Sequence, residues 1–201
     1  MRLFRLGLIA RVVFPEAIFR TDTNNLCLTF DDGPHPVSTP ALLELLKKYA
    51  ISAVFFCSGE AAEKYPHLVS LIASNGHIIG NHGYSHADGW KTATWCYVEN
   101  IRKADQFTSS TLMRPPYGKM RPGQYRILKK YYRIVLWDVM PFDFDRKFGI
   151  ENVLAVLKRK IRPGSIVVLH DNPSSCASQI LGEFIKFALV KGYTFTTELG
   201  Q

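Results

Sequence analysis

The sequence predicts an α/β protein built on a parallel sheet, arranged either as a barrel or as an open doubly wound sheet. Short apolar runs of strand length alternate along the chain with amphipathic segments of helix length. Such repeated βα units join neighbouring parallel strands through right-handed crossovers. Acids, histidines and an arginine cluster immediately after the apolar runs, where the C-terminal ends of parallel strands present their side chains to one rim. A length of 201 residues with 47% hydrophobic content suffices for one buried core. No shift in composition marks a boundary, so 1–201 is expected to be a single domain.

Residues 1–22 open on MRLFRLGLIARVVFPEAIFR, basic and apolar as a secretory leader is. Arg5 and Arg11 leave only five uncharged residues between them, no small-x-small cleavage site follows, and the run is too short to span a bilayer. This segment is expected to be an element of the same fold, with an amphipathic helix on a membrane surface as the alternative. A cytoplasmic or membrane-associated location accords with that reading.

The first strand is placed at 26–30 (LCLTF) and is cut off by Asp31-Asp32-Gly33-Pro34, a turn sequence. A helix follows over TPALLELLKKYA, capped by Thr39 with Pro40 in its first turn and leucines at helical spacing. The next strands lie near 52–57, 77–80, 111–113, 133–138, 165–169 and 193–197, with helices over 66–74, 93–106, 122–131, 151–160 and 178–190. The strand ends carry GNHGYSH, RPPY, DVMPFDF and HD in turn. The four cysteines have no C-x-x-C spacing, and Cys27 and Cys57 sit inside apolar runs, so reduced, buried thiols are expected.

The 25 basic and 17 acidic residues give a net charge of +8, which by itself favours an anionic partner. The basic clusters, Lys129-Lys130 and Lys158-Arg159-Lys160, fall where helices end and where cations complement the helix dipole. No aromatic-interleaved basic stripe accompanies them, so no nucleic-acid partner is expected.

His82 and His86 stand four apart after a strand, a spacing that puts both rings on one side of a helical turn or tight loop. Two imidazoles and one carboxylate suit a zinc-like ion and leave coordination positions open, as hydrolytic sites require. A water on such an ion falls to a pKa of about 7, and the ion polarises a carbonyl oxygen. One of Asp31 and Asp32 would then be a ligand, leaving the other for proton transfer.

TFDDGP, HGYSH, RPPY and LHD, in that order, resemble the signature motifs of the polysaccharide deacetylases, the carbohydrate esterase family with the NodB-homology domain. The resemblance runs from about Cys27 to the C-terminus. It implies a distorted (β/α) barrel with about seven parallel strands and the active site at their C-terminal ends. It implies Asp31 as general base, and Asp32, His82 and His86 as ligands of a divalent metal, zinc first, with cobalt or nickel as alternatives. Arg114 would hold Asp31, the Tyr117 backbone N–H would stabilise the oxyanion, His170 would protonate the leaving amine, and Asp143 would orient His170. The substrate implied is an N-acetylated glycan or oligosaccharide, with Pro116, Tyr117, Trp137 and Phe144 contacting it and a monomer expected.

Two motifs depart from the family pattern. Met140 and Phe144 replace the usual Asp and Trp of the fourth motif, which keeps Asp138 open as an alternative partner of His170. Gly83 replaces the usual Ser or Thr of the second. Asp171, followed by NPSS, reads as a turn or cap residue. Other readings on the same motifs are an O-acetyl xylan esterase, a small-amide or ureide hydrolase, and a non-catalytic glycan-binding domain.

Overall fold

The computed structural model describes residues 4, 5 and 7–200. Six parallel strands form one sheet: β1 (Cys27–Asp31), β2 (Val54–Cys57), β3 (Ile78–Asn81), β4 (Leu112–Met113), β5 (Arg133–Ile134) and β6 (Ile166–His170), in the order β5-β4-β3-β2-β1-β6. Beyond β5 the chain reaches the other edge, where Val139 bridges Val167 in parallel. The Val139 N–H donates to the Ile166 carbonyl at 3.1 Å and the Val168 N–H to the Val139 carbonyl at 2.9 Å. That contact closes the sheet into a distorted barrel.

The helices are α1 (Leu8–Val13), α2 (Ser38–Lys48), α3 (Gly59–Lys64), α4 (Pro66–Ser74), α5 (Thr94–Thr108), α6 (Pro122–Leu128), α7 (Ile150–Lys160) and α8 (Ala177–Val190). None of the described helices is long and apolar enough to cross a membrane. Helices return antiparallel to the strands, so the basic ends of α2, α6 and α7 lie on the face opposite the strand C-termini. At 1–22, Phe14, Ala17, Ile18 and Phe19 are buried, and Ile18 bridges Val135 while Arg20 bridges Ser165.

Alternation along the strands sorts the core into two clusters. Leu28, Phe30, Phe55, Val167 and Leu169 pack outward against Leu42 and Leu46 of α2 and Ile180, Leu181 and Phe184 of α8. Cys27, Val54, Phe56, Ile166 and Val168 belong to the other cluster, with Ile18, Val135, Leu136 and Trp137. By the same alternation, Asp31 and His170 end the inward rows of β1 and β6, which are paired at those two residues.

The expected strand at 193–197 contracts to a single bridge between Phe195 and Leu26. From Cys27 onward β1 has β6 on one side, and from Thr29 it has β2 on the other, so YTFTT finds only the preceding residue to pair with. The run at 133–138 likewise leaves β4 after Ile134. Its later residues change partner, to Ile18 and then to β6. Helix α2 begins at Ser38, so Thr39 lies within its first turn, where its hydroxyl accepts the His35 N–H at 2.7 Å. All four cysteines are free; Cys27 and Cys57 are buried, and Cys96 is exposed.

The Phe30 and Phe55 rings stack 4.9 Å apart beneath α2 and α8. Phe30→Ala is expected to lower unfolding stability by about 3–5 kcal/mol, since a cavity adds to the lost burial. Urea unfolding checks this.

Candidate metal and catalytic centre

Asp31 is the last residue of β1, and Asp32 takes φ 78°, the left-handed region that a non-glycine residue seldom enters. This reversal brings the second carboxylate to the same side as the first, which a continuing strand would forbid. Gly33 completes the turn because a Cβ there would stand 2.3 Å from Asp171 Oδ2. Asp171 is buried, and its two oxygens accept the hydroxyls of Ser38 and Thr39, tying the end of β6 to the start of α2.

His82 follows β3 directly. Its Nδ1 lies 2.8 Å from the Arg114 carbonyl, an obligate acceptor, so Nδ1 carries the proton and Nε2 is left with a lone pair. Burial pushes the His82 pKa down to about 4 against the opposing charge of Asp31, so the ring is neutral near pH 7. His86, at φ 53°, brings its Nε2 to 3.2 Å from Asp32 Oδ1, with His82 Nε2 3.7 Å from the same oxygen.

Donor atoms of Asp32, His82 and His86 all lie within 4.8 Å of one another. Asp32 Oδ1 is buried and, among the described residues, makes no hydrogen bond of normal geometry. Burial opposes ionisation of Asp32, yet the surrounding imidazoles of His86, His82 and His170 hold its carboxyl well below the usual range. An orphaned carboxylate oxygen facing two imidazole nitrogens fits a divalent cation. Asn172 donates to the other oxygen, Oδ2, at 2.7 Å and leaves Oδ1 turned toward the histidines.

Arg114 is fully buried. Its Nη1 donates to Asp31 Oδ1 at 2.7 Å and to Thr29 Oγ1 at 2.6 Å, while Nε and Nη2 donate to the carbonyls of Val135 and Leu136 at 3.3 and 3.2 Å. Asp31 Oδ2 is left facing His82 Nε2 at 3.9 Å.

At the end of β6, His170 Nδ1 lies 2.8 Å from Asp143 Oδ1, and its backbone N–H donates to Asp143 Oδ2 at 2.8 Å. Ser175 adds a hydroxyl to the same Oδ2. Burial alone would lower the His170 pKa, but the charge of Asp143 and its hydrogen bond outweigh it and push the value up to about 9. Asp138 is engaged elsewhere. Its carboxylate accepts from Arg162 and from Ser165 at 2.7 Å, near the start of β6 and not its end.

These groups open onto one cavity of about 650 Å³, lined by Asp31, Asp32, His82, His86 and His170 and walled by Tyr117, Trp137, Met140, Phe142 and Phe144. Tyr117, at φ 59°, meets His86 in a T-shaped ring contact, and Phe144 meets His170 in another. Trp137 lies against Gly118, where a Cβ would be 2.3 Å from the indole. Pro116, also expected at the wall, is buried beside Gly83 and is not among the residues that line this cavity. Asn172, Ser175 and Thr29 were not singled out in the sequence. Their only signal there is position, within or just after an apolar run that ends in a charged residue.

The family profile described as polysaccharide deacetylase matches residues 20–132. The chain belongs to the polysaccharide deacetylase family. It is 32% identical over 182 residues to a peptidoglycan-N-acetylglucosamine deacetylase of Bacillus cereus, covering 86% of this chain and 66% of that protein. It is also 32% identical over 178 residues to a chitooligosaccharide deacetylase of Rhizobium leguminosarum bv. trifolii, covering 83% of this chain and 80% of the relative. A solved peptidoglycan N-acetylglucosamine deacetylase, in complex with 4-naphthalen-1-yl-N-oxidanyl-benzamide, superposes with a TM-score of 0.83 at 30% identity, covering 90% of this chain and 88% of that one. The deacetylase fold and the Asp-His-His cluster thus occur together here.

In the metal-free protein, His170 is expected to titrate near pH 9 by NMR of its imidazole, and Asp143→Asn to lower that midpoint. The sign follows from linkage. Because the folded pKa lies above the ordinary 6.5, the stabilisation is fully present below that value and disappears as pH rises through about 9.

Proposed function

We propose that the protein removes acetyl groups from N-acetylated amino sugars of a glycan, of the chitin-oligosaccharide or peptidoglycan type, with zinc as the metal. The observation that carries this reading is that Asp31 and His170 border one cavity with the Asp32-His82-His86 cluster, each of the pair held by its own charged partner, Arg114 and Asp143. The names of the relatives supply the substrate class.

Amide hydrolysis needs a nucleophile at neutral pH, stabilisation of a tetrahedral oxyanion, and a proton for a poor leaving group. Asp32, His82 and His86 would hold a divalent cation, which would supply a Lewis acid for the carbonyl and make the attacking water more acidic. Asp31 accepts the attacking water's proton at Oδ2, since Arg114 occupies Oδ1 and fixes the carboxylate's orientation. The Tyr117 backbone N–H donates to the oxyanion at the rim. His170 is turned with Nδ1 to Asp143 and presents Nε2 to the cavity, where it passes a proton to the amine nitrogen as the C–N bond breaks. Its raised pKa keeps it loaded as an acid at neutral pH. The aromatic walls hold the sugar ring while the acetamido group enters.

Zinc-loaded protein is expected to release acetate from N-acetylglucosamine oligomers or peptidoglycan fragments, and a chelator to abolish the release. Asp31→Asn should lower kcat by about a hundred- to ten-thousandfold while the bound zinc, measured by elemental analysis, is retained. Absence of acetate from every N-acetylated glycan tried with metal-loaded protein would overturn the reading.

A further inference from the structure

We propose that Trp90, Tyr117 and Lys119 form a binding platform for the sugar residue adjoining the one in the catalytic cavity, and that it takes an uncharged N-acetylated pyranose. This rests on the glycan reading above and extends it along the polymer. Trp90 and Tyr117 are 60% and 58% exposed. Lys119 Nζ stands 5.3 Å from the centroid of each ring, so the ammonium joins the two aromatics into one surface. Tyr117 and Lys119 also line the catalytic cavity, which makes the surface continuous with it.

The platform is held rigidly. Lys119 pairs with Asp88 Oδ2 at 2.9 Å, and Asp88 Oδ1 accepts the Trp90 N–H at 2.9 Å. The Trp90 carbonyl accepts from Arg121, and the Gln124 amide donates to the carbonyls of Gly89 at 2.9 Å and Thr92 at 3.1 Å. Gly89 is needed for this packing, because a Cβ there would stand 2.3 Å from the Lys119 carbonyl oxygen. The backbone that carries Trp90 is therefore locked onto the backbone that carries Tyr117 and Lys119. Exposed rings on a fixed support lose little freedom when a ligand settles on them. Aromatic faces suit the C–H faces of a pyranose, and Asp88 neutralises the Lys119 ammonium that lies between the two rings. A neutral sugar is therefore favoured over an acidic one.

The test compares wild type, Trp90→Ala and Trp90→Phe on N-acetylglucosamine oligomers of increasing length, with thermal melts to confirm that each variant folds. In Trp90→Ala the loss of kcat/KM should grow with oligomer length to about tenfold, through KM, and Trp90→Phe should recover most of it. A loss equal at every length, or absent at every length, overturns the platform. In parallel, the same oligomers are titrated into metal-free protein while tryptophan fluorescence is followed. Trp90→Ala should weaken binding and Trp95→Ala should not. This arm separates the two readings: if wild type releases no acetate yet binds the oligomers through Trp90, the platform stands and the deacetylase reading fails. If no oligomer binds, the platform falls. Binding should not depend on added salt; an affinity that falls with salt would point to an anionic ligand and overturn the choice of an uncharged sugar.

Discussion

A buried guanidinium holds the centre of this molecule together. Arg114 has left water entirely, so its donors must be met inside the protein or its charge would be intolerable. It meets them by reaching β1 through Thr29 and Asp31, and the chain beyond β5 through Val135 and Leu136, while its plane lies 4.1 Å over the Phe56 ring of β2. Its own backbone serves the opposite direction, donating to the Asn81 carbonyl at 2.9 Å and accepting from His82 Nδ1. One residue thus orients the proposed base with its side chain and a proposed metal ligand with its carbonyl. The fourfold demand of that side chain also explains why the barrel interior at this level is polar: Thr29 and Asp31 are there because Arg114 requires acceptors.

The proposed acid, His170, is held on the same principle with different parts. Asp143 receives three donors, the His170 ring, the His170 backbone N–H and the Ser175 hydroxyl, which fix both carboxylate oxygens. Met140 and Phe144, where the family pattern has Asp and Trp, take other work. Met140 packs against the core and lines the cavity, and Phe144 meets the His170 ring in its T-shaped contact. The imidazole is held by its hydrogen bond to Asp143 and by the Phe144 ring beside it, so the changed motif leaves its position well defined.

Much of this was legible in the sequence because the alternation of apolar runs and amphipathic segments maps directly onto β1 to β6 and most of the helices. The ionisable residues at strand ends were legible for the same reason, since parallel strands gather their C-termini. What escaped depends on partners that periodicity does not name. The run at 133–138 reads as one strand, yet it leaves β4 early because Ile18 and β6 compete for it. Helix α3 is too short to show a helical period. Asp138 and Asp143 are two acids in one stretch, and only the register of that stretch against β6 separates the one at the start of the strand from the one at its end. Asn172 looks like a turn residue, and the turn is what aims its amide at Asp32.

Chain order divides the site in two. Asp31, Asp32, His82, His86, Arg114 and Tyr117 all precede residue 118, whereas Asp143, His170 and Ser175 come from the remainder. The family profile stops at residue 132, between the two groups. The first group is interlocked through Arg114, so a change to one member disturbs several others at once. The second is joined to it by the pairing of β6 with β1 and by Asn172 reaching Asp32. Substitutions should therefore weigh unequally on the two halves: one in the first group disturbs several side chains at once, whereas one in the second is confined to the surroundings of Asp143 and the end of β6.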